Sequence, residues 1–270
     1  MTSMFDLVVI GHISFDENII RGERHVIKSG SAYLVGLPAS LFSKKVGIVS
    51  RIGKDFPFKD LQKLKVDISG IKIIKNGKTT RFFHTYLSED GQERTFRAEM
   101  NVGKDMITKD IPTKYLKAHF IHVATNLPQK QIEFVKFIRR KSQALISIDS
   151  LEQYIEQYPK EVLEVFKLVD IVFIDKKEKE LIRKLSGKAM VIKKGAGGAD
   201  YIEDGKTVSV KVLEVKSVID KTGAGDVLAG TFLVLMARGK NPKFALQQAV
   251  NLASKSITQH GINFLLDEIT

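Results

Sequence analysis

Short, uninterrupted apolar segments recur along the chain and alternate with longer segments of helical periodicity. The apolar segments are FDLVVI, VGIVS, HFIHVA, ALISID, DIVFID and AMVIKK. QIEFVKFIRR follows HFIHVA, and LEQYIEQYPKEVLEVFKLV follows ALISID, each with hydrophobic residues three or four positions apart. Apolar strands that alternate with helices are typical of a parallel sheet covered on both faces. The pattern therefore predicts a three-layer α/β/α sandwich with right-handed crossovers.

Two segments depart from this rhythm and alternate like strands. They are residues 17–28, with a turn at 21–23, and residues 79–99. In the second segment, Asp90-Gly91 is a hairpin turn signal between RFFHTYLS and ERTFRAE. We expect a small β lid within about residues 12–29 and 79–99, over the ligand edge of a single domain that spans residues 1–270.

Polar residues follow several of the predicted strands, at the edge where such sheets bind ligands. Asp16 and Asp149 each come after an apolar segment, where a carboxylate can accept hydrogen bonds from the hydroxyls of a polyol. A helix cap or a surface turn is the alternative for each of them. Asn126, after HFIHVAT, could reach the same pocket, and Asp175 and the glycines after Lys194 end two later strands.

Composition narrows the classes of function. The chain has no cysteine, which excludes disulfides, thiolate zinc sites and cysteine nucleophiles and makes the cytoplasm the expected compartment. No apolar stretch reaches the ~18 residues of a membrane span, and the first residues read as a core strand, so we expect no membrane partner. The formal charge of +12 arises from lysines spread along the chain. Such a surface disfavours nucleic acid as a partner and suits an anionic nucleotide.

The most informative stretch is VKSVIDKTGAGDVLAGTFLVLMARGKNP. We expect a strand over residues 215–219, then a turn of small residues, then a helix with Asp226 in its first turn. Gly223, Ala224 and Gly225 leave backbone N–H groups free to surround an anion, and the helix dipole adds to the attraction. The stretch therefore predicts a phosphate site.

Asp226 would lie beside the bound anion, which repels a carboxylate. A carboxylate is useful there if it orients an attacking hydroxyl and accepts its proton as the new bond forms. The alternative is that Asp226 only compensates the helix dipole, as acids in first turns commonly do. The Thr-Gly-Ala-Gly directly before it favours a general base, and hence an ATP-dependent kinase that phosphorylates a hydroxyl of a small molecule.

The segment DKTGAGDVLAG resembles the C-terminal signature of the ribokinase-like (PfkB) carbohydrate kinases. In that family the aspartate is the catalytic base and the preceding small residues form an anion hole. The resemblance extends over most of the chain and implies a ribokinase-like fold with a β lid. It also implies ATP, or another nucleoside triphosphate, and Mg²⁺ as cofactors, and a homodimer that could form through the lid.

Further motifs carry the resemblance in the order and spacing of the family. Gly11 and Asp16 in GHISFDENI match its substrate-binding strand end, and Ser29-Gly30-Ser31-Ala32-Tyr33 matches its Gly-Gly substrate motif. Asp175 and Glu178 in IDKKEKE match its metal and phosphate motif Asn-x-x-Glu, and residues 194–198 match its nucleotide-binding glycine loop. The implied site residues are Asp226, Gly223, Ala224 and Gly225 for catalysis, Asp16, Gly30, Ser31, Asn126 and Asp149 for the acceptor, Asp175, Lys193, Gly195, Gly198, Thr222 and Asn251 for the nucleotide, and Glu178 for the metal.

Glu178 suits magnesium because this cation keeps several waters and takes few carboxylates. A helix-surface glutamate next to lysines is the competing interpretation. The sequence departs from the family pattern at Ser29, where the first glycine is usual, at Asp175, where asparagine is usual, and at Lys221, where a small or hydroxyl residue is common. The asparagine that follows the Gly-Gly pair in sugar-binding members is absent from SAYLVG, which puts ribose itself in doubt.

The segments SGSAYLVG and DGQERTFRA are similar to compact archaeal members of the family, which phosphorylate inositol, nucleosides or sugars. The acceptor is therefore expected to be a small sugar, a cyclic polyol such as inositol, or a nucleoside. The alternative function is a basic nucleic-acid-binding or regulatory protein on a kinase-like scaffold without turnover. The intact Gly-Ala-Gly-Asp favours the enzyme, because a binding module has no need of a base.

Overall fold

The computed structural model describes residues 5–20, 22–57, 59–86, 94–182, 189–212, 215 and 217–266. The strands in this part of the chain are β1 (Leu7–Ile10), β2 (Ser14–Ile20), β3 (Glu23–Ser29), β4 (Val46–Gly53), β5 (Asp67–Ile74), β6 (Thr80–Tyr86), β7 (Arg94–Glu99), β8 (Phe120–Val123), β9 (Leu145–Asp149), β10 (Ile171–Asp175), β11 (Ala189–Lys193), β12 (Ala199–Glu203) and β13 (Lys206–Val210). The helices are α1 (Ser31–Ser40), α2 (Lys59–Lys63), α3 (Pro128–Lys141), α4 (Glu152–Gln157), α5 (Pro159–Leu168), α6 (Lys176–Leu181), α7 (Ala224–Ala237), α8 (Pro242–Ser256) and α9 (Asn263–Leu266).

A nine-stranded sheet forms the centre of the molecule, with the strand order β13-β12-β11-β10-β9-β8-β1-β4-β5. Neighbouring strands from β5 to β11 pair in parallel, and β12 and β13 add an antiparallel edge. Each of the six apolar segments named above lies on one of the parallel strands. The predicted, mostly parallel sheet is thereby confirmed.

Helices cover both faces of this sheet. Successive strand residues point to opposite faces, so Leu7 and Val9 of β1 enter one core while Val8 and Ile10 enter the other. The first core is completed by α1, α7 and α8, and the second by α3 and α5. This arrangement confirms the three-layer α/β/α sandwich.

Two helices, α1 and α7, are buried along most of their length and cross at close range. A Cβ on Gly230 of α7 would lie 2.0 Å from the carbonyl oxygen of Val35 in α1, so only glycine permits this approach. Because backbone contacts backbone here, the start of α1 and the start of α7 are held in a fixed relation. Both starts carry residues that the sequence assigns to the site.

A second, smaller sheet has the order β3-β2-β6-β7 and is called the small sheet below. Its outer pairs, β2 with β3 and β6 with β7, are antiparallel, and its central pair, β2 with β6, is parallel. The strands predicted within residues 12–29 and 79–99 are thus present. Asp90-Gly91 lies outside the described residues, and dimerisation through this sheet stays a prediction.

The strand predicted over residues 215–219 is wrong. Among these residues, 215 and 217–219 are described, and none of them is in a strand. The N–H groups of Ile219 and Asp220 instead donate to the carbonyl oxygen of Ile257, just after α8, at 2.8 and 3.2 Å. Val218 and Ile219 are about half exposed, at 50% and 48%. This apolar run is a surface segment that pairs with a helix end.

Within the described part of the chain, no helix has both the length and the apolar character that crossing a bilayer requires.

Candidate active site

A cavity of about 830 Å³ opens at the carboxyl edge of the parallel strands, between the central sheet and the small sheet. Polar residues from widely separated parts of the chain meet in it. The predicted site residues that line it are Asp16, Gly30, Ser31, Asn126, Asp175, Glu178, Thr222, Gly223 and Asp226. The structure therefore brings these predicted residues together in one cleft, while their roles stay predictions.

A second cavity, of about 820 Å³, lies at the opposite, amino ends of β8 and β9. Lys117, Arg140 and Lys141 line it, and none of its described lining residues carries a carboxylate. Ligands of parallel α/β sheets bind beyond the carboxyl ends of the strands. The first cavity, which has both acids and a helix start, is therefore the candidate active site.

The turn before α7 points the first helical residues into the cleft. Gly223 adopts a left-handed conformation, with φ of 76°, and α7 begins at Ala224. The carboxylate of Asp220 fixes the entry to this turn, since its Oδ1 accepts a hydrogen bond from the Thr222 N–H at 2.9 Å. The first N–H groups of a helix have no acceptor within the helix, so the turn offers donors to an anion.

Asp226 lies in the first turn of α7 and lines the cleft. Burial raises the pKa of its carboxyl to about 8, the neighbouring carboxylates of Asp149 and Asp16 act in the same direction, and the Lys193 ammonium opposes them. A carboxylate with a pKa near neutrality can both take up and release a proton at physiological pH. In the free protein, burial and the two neighbouring carboxylates thus favour the protonated form of Asp226, and the Lys193 ammonium favours the ionised form.

The opposite wall of the cleft contains Asp16 on β2. Its Oδ1 accepts a hydrogen bond from the Ser14 hydroxyl at 2.8 Å, and its Oδ2 lies 4.0 Å from His84 Nε2. The carboxylate is buried, at 4% exposure. A buried carboxylate with a fixed orientation is suited to accept hydrogen bonds from ligand hydroxyls.

Gly30, at the start of α1, forms part of the same wall. Its φ is 100°, and a Cβ there would lie 2.4 Å from the carbonyl oxygen of His12 and 2.8 Å from the Ser14 nitrogen. Any side chain at this position would displace the backbone around Asp16. The single glycine that this chain retains from the expected Gly-Gly pair is therefore the one that its geometry requires.

His12 also lines the cleft, although no motif in the sequence pointed to it. Burial lowers its pKa to about 4, with a smaller opposing effect of the Asn126 side chain. The ring is therefore neutral at pH 7, with one donor and one acceptor. Among the described residues, neither ring nitrogen makes a hydrogen bond of good geometry. Its position directly after a strand and Gly11 is the signal that could have indicated it.

Asp175 and Glu178 line the part of the cleft in which the sequence predicts that the nucleotide binds. This part is called the nucleotide end below. The Asp175 carboxylate accepts from the Glu178 N–H and the Glu178 carboxylate accepts from the Asp175 N–H, both at 2.8 Å. Burial raises the pKa of Glu178 to about 7, and the Lys193 ammonium opposes this. Glu178 is 3% exposed, so it is not the surface glutamate of the competing interpretation.

Asp149 and Lys193 form an ion pair with each other and do not line the cleft. The Lys193 ammonium lies 2.8 and 2.9 Å from the two Asp149 carboxylate oxygens, and neither residue lines the cavity. Ala224 and Gly225 follow Gly223 directly in the first turn of α7. The predicted acceptor contact of Asp149 and the nucleotide contact of Lys193 stay predictions.

The other predicted nucleotide residues lie outside the cavity. Gly195 is exposed in a short 3₁₀ turn after β11, and Gly198 closes that turn with φ of 86°. A Cβ on Gly198 would lie 2.0 Å from the Val210 carbonyl oxygen, which explains this glycine by packing. Asn251 on α8 accepts a hydrogen bond from Gln247 at 2.9 Å.

The small sheet contributes an aromatic wall that the sequence did not assign to the site. Phe82 and His84 on β6 and Phe96 on β7 line the cleft, with the Phe96 ring centroid 5.8 Å from Phe82 and 5.2 Å from His84. Phe83 lies on the other face, where the Arg97 guanidinium is 3.8 Å from its ring centroid. The period-two alternation in RFFHTY could have separated these two faces.

Comparison with known proteins places this geometry in a family. The pfkB family carbohydrate kinase domain matches residues 4–269. A cytidine kinase of Thermococcus kodakarensis is 35% identical to the chain over 258 residues, which is 88% of this chain and 90% of that protein.

Two solved structures share the fold. The nucleoside kinase of Methanocaldococcus jannaschii, described as an archaeal member of the ribokinase family, has a TM-score of 0.80 at 19% identity and covers 96% of this chain and 94% of its own. A putative ribokinase II of E. coli in complex with ATP and Mg²⁺ has a TM-score of 0.81 at 20% identity, with 96% and 94% covered. Together with the family match, they confirm the ribokinase-like fold. This chain belongs to the pfkB family of carbohydrate kinases, and it is a phosphotransferase whose acceptor is a hydroxyl group.

Proposed function

We propose that this chain is a nucleoside kinase that transfers the γ-phosphoryl group of ATP to the primary hydroxyl of a ribonucleoside. The observation that carries this proposal is the contrast between the two walls of the cleft. Phe82 and Phe96 form an aromatic wall, while Asp16 and Asp226 provide carboxylates for the hydroxyl-bearing part of the acceptor. A flat, conjugated nucleobase stacks on such a wall over more area than the puckered C–H face of a cyclic polyol such as inositol.

The relatives support the same substrate class. The relative of 35% identity is named a cytidine kinase, and the archaeal structure of the same fold is a nucleoside kinase. We infer that the base stacks under the small sheet, which then serves as the lid. The neutral His12 ring and the Asn126 amide offer uncharged donors and acceptors to the nucleoside in the same space.

Asp16 fixes the ribose. Its carboxylate is already oriented by the Ser14 hydroxyl, so it can accept hydrogen bonds from two vicinal ribose hydroxyls without reorganisation. The backbone at Gly30 lies against the same ribose hydroxyls. The ribose is thereby held with its exocyclic hydroxymethyl group directed towards Asp226.

Asp226 accepts the proton of this hydroxyl as the oxygen attacks the γ-phosphorus in line. The bond to the β–γ bridging oxygen breaks and ADP leaves with the negative charge. Donors at the start of α7, around Gly223 to Gly225, are directed at the charge on the transferred group, where a preorganised dipole is most effective. A positioned base of this kind contributes about 10²-fold to 10⁴-fold to the rate.

Magnesium fits the residues at the nucleotide end. Asp175 and Glu178 present carboxylate oxygens there, and the elevated pKa of Glu178 marks a carboxylate that a cation would stabilise in its ionised form. No cluster of three or more metal-ligating side chains occurs among the described residues, which suits an ion held mainly by phosphates and water. When bound, the ion supplies charge neutralisation at the phosphates.

A screen of ADP release tests the proposal. The purified protein with ATP and Mg²⁺ is assayed against cytidine, uridine, adenosine, inosine, ribose and myo-inositol, with Asp226→Asn as the control for contaminating kinases. We expect at least one nucleoside to exceed ribose and inositol by about tenfold or more in kcat/KM, since base stacking is worth ~1–3 kcal/mol. A higher kcat/KM for ribose or inositol than for every nucleoside would overturn the proposal.

A further inference from the structure

The Lys193–Asp149 ion pair lies directly behind the first turn of α7. Both Asp149 oxygens are within 2.9 Å of the Lys193 ammonium, which is 19% exposed, while the carboxylate is 4% exposed. A buried ion pair costs more desolvation than a surface pair and is weak evidence for a purely stabilising role. The position of this ion pair beside Asp226 therefore indicates a role in function.

Strand alternation places both members on the α7 face of the sheet. Phe173 of β10 packs against α7, and Asp149 of β9 is its register partner. Lys193 ends β11 opposite Asp175, two positions after Val191, which lies in the same core as α7. The Lys193 side chain therefore crosses the end of β10 to reach Asp149, two strands away.

The first turn of α7 rests on this lysine. A Cβ on Gly225 would lie 3.2 Å from Lys193 Cδ and 3.3 Å from its Nζ, so the ammonium sits against the residue directly before Asp226. The glycine makes room for the lysine at the helix start. A positive charge is thus fixed behind the donors that are proposed to receive the phosphoryl group.

The Lys193 charge acts on the protonation of Asp226 together with two neighbouring carboxylates. Asp226 is influenced by Asp149 from the end of β9, by Asp16 from β2, and by Lys193 from β11. The two carboxylates favour its protonated form, and the ammonium favours its ionised form. Burial by itself would lower the pKa of Lys193, but Asp149, Glu178 and Asp226 raise it above its usual value, so the lysine stays charged.

His122 lies deeper on the same face of the sheet and adds no charge near Asp226 at neutral pH. Burial lowers the pKa of His122 to about 3, and the nearby Lys193 charge acts in the same direction. Its Nδ1 lies 3.0 Å from the Ser147 hydroxyl on β9. His122 is therefore neutral at the pH of any assay, and the local charge balance is set by the acids and Lys193.

We propose that Lys193 and Asp149 are positioning residues for the reaction: Asp149 holds the Lys193 ammonium beneath the start of α7, where the ammonium favours the anionic, proton-accepting form of Asp226. This inference rests on the proposed function, because it needs Asp226 as the base. It assigns Asp149 to Lys193 instead of to the acceptor.

The test is the pH dependence of kcat/KM for the best acceptor, at saturating ATP and Mg²⁺, in wild type, Lys193→Met, Asp149→Asn and the double variant. Lys193→Met removes the cation and should move the rising limb of the kcat/KM profile to higher pH by about one unit, because Asp226 then holds its proton more tightly. Removing the neighbouring carboxylate should move it to lower pH by a similar amount. The two shifts should largely cancel in the double variant.

Matched controls separate this effect from general damage. Lys136→Met and Asp170→Asn remove the same groups from surface ion pairs with Glu164 and Arg139, and should leave the midpoint of the limb unchanged. Lys193→Arg keeps the charge and should keep the midpoint. If Lys193→Met does not fold because Asp149 is left unpaired, the double variant and Asp149→Asn still decide the case.

The outcomes distinguish this inference from the proposed function. Shifts of opposite sign in the two single variants, or the acid shift of Asp149→Asn reversed in the double variant, support the positioning pair. Unmoved midpoints, or shifts of the same sign, overturn it even if Asp226→Asn abolishes turnover. Near-normal turnover of Asp226→Asn would instead overturn the proposed function.

Discussion

Asp175 and Glu178 cap the same helix start reciprocally, each accepting the backbone N–H of the other at 2.8 Å. This capping box satisfies two N–H groups that the start of α6 leaves open. It also fixes the Glu178 carboxylate in the cleft. A residue pair chosen from the sequence for metal binding thus has a structural role as well, and substitutions must separate the two roles.

Glu178→Gln and Glu178→Ala make this separation. Glutamine can still accept the Asp175 N–H, so Glu178→Gln should not lower the free energy of unfolding, whereas Glu178→Ala should lower it by ~1 kcal/mol through the lost cap. Both variants lose the charge, and both should need a several-fold higher Mg²⁺ concentration for half-maximal velocity. Chemical denaturation and Mg²⁺ titration of the rate measure these effects. An unchanged Mg²⁺ requirement in both variants would remove Glu178 from the metal site.

The stability of the free protein should fall as pH rises from about 6.5 to about 8. The pKa of Glu178 is about 7 in the folded protein against an ordinary 4.5, and that of Asp226 is about 8 against 3.8. Below about pH 6.5 the buried, neutral His12 and His122, with pKa values of about 4 and about 3, bind fewer protons than in the unfolded state and offset these two carboxyls. Above the ordinary histidine pKa of 6.5 this offset is lost, so the folded state binds more protons than the unfolded state and the free energy of unfolding decreases with pH. Denaturation at several pH values, without ligands, measures this slope.

Asp226→Asn should flatten that slope. The variant should exceed wild type in free energy of unfolding at pH 8 by on the order of 1–3 kcal/mol and match it below about pH 3, where the carboxyl is protonated in both states. Asp204→Asn, in an exposed turn, is the control and should leave the slope unchanged. If Asp226→Asn is less stable than wild type at pH 8, the electrostatic description of the cleft is incorrect.

Gly30→Ala should disrupt the acceptor wall, and Gly22→Ala is its matched control. Both glycines have positive φ, of 100° and 81°, but a Cβ meets the His12 carbonyl at 2.4 Å in the first case and nothing within 4 Å in the second. Gly22→Ala should cost only the ~1–2 kcal/mol of a left-handed residue. Gly30→Ala should cost more and raise the KM for the acceptor. Equal thermal stability and KM in the two variants would contradict the backbone contact.

Phe96→Ala should weaken the acceptor and spare the fold. Phe96 is 54% exposed, so its truncation should change the free energy of unfolding by no more than about 0.5 kcal/mol. Loss of stacking should raise the KM for a nucleoside by about fivefold or more and leave the KM for ATP unchanged. Val26→Ala, at an exposed position of the same sheet that does not line the cleft, is the control. If KM is unaffected in Phe96→Ala, the base does not stack on this wall.

The parallel sheet and the start of α7 could be predicted because their signals are local. Six apolar segments predicted the strands, and Thr-Gly-Ala-Gly-Asp predicted the turn of small residues at which α7 starts. The strand predicted before this turn, over residues 215–219, is wrong. That segment is apolar, but hydrophobic pattern alone does not say whether a partner strand exists. Its N–H groups bond to Ile257 after α8, which lies far along the sequence.

The charge arrangement behind the site could not be predicted. Lys193 and Asp149 are 44 positions apart and meet only because β9, β10 and β11 are neighbours in the sheet. His12 could not be predicted for a similar reason. Its place in the site follows from the burial of its ring and from two ring nitrogens that make no hydrogen bond of good geometry among the described residues. Such properties arise from tertiary contacts, whereas the predicted residues were identified from spacing in the chain.

The most direct measurement of the central claim is the single-turnover rate of phosphoryl transfer in Asp226→Asn, with ATP binding and thermal unfolding measured on the same preparation. We predict that ATP binding and the folded state are retained while the rate falls by about a hundredfold or more, because the proton of the attacking hydroxyl has no acceptor. A rate within about threefold of wild type, with the acceptor still bound and phosphorylated, would contradict the role of Asp226 as the base.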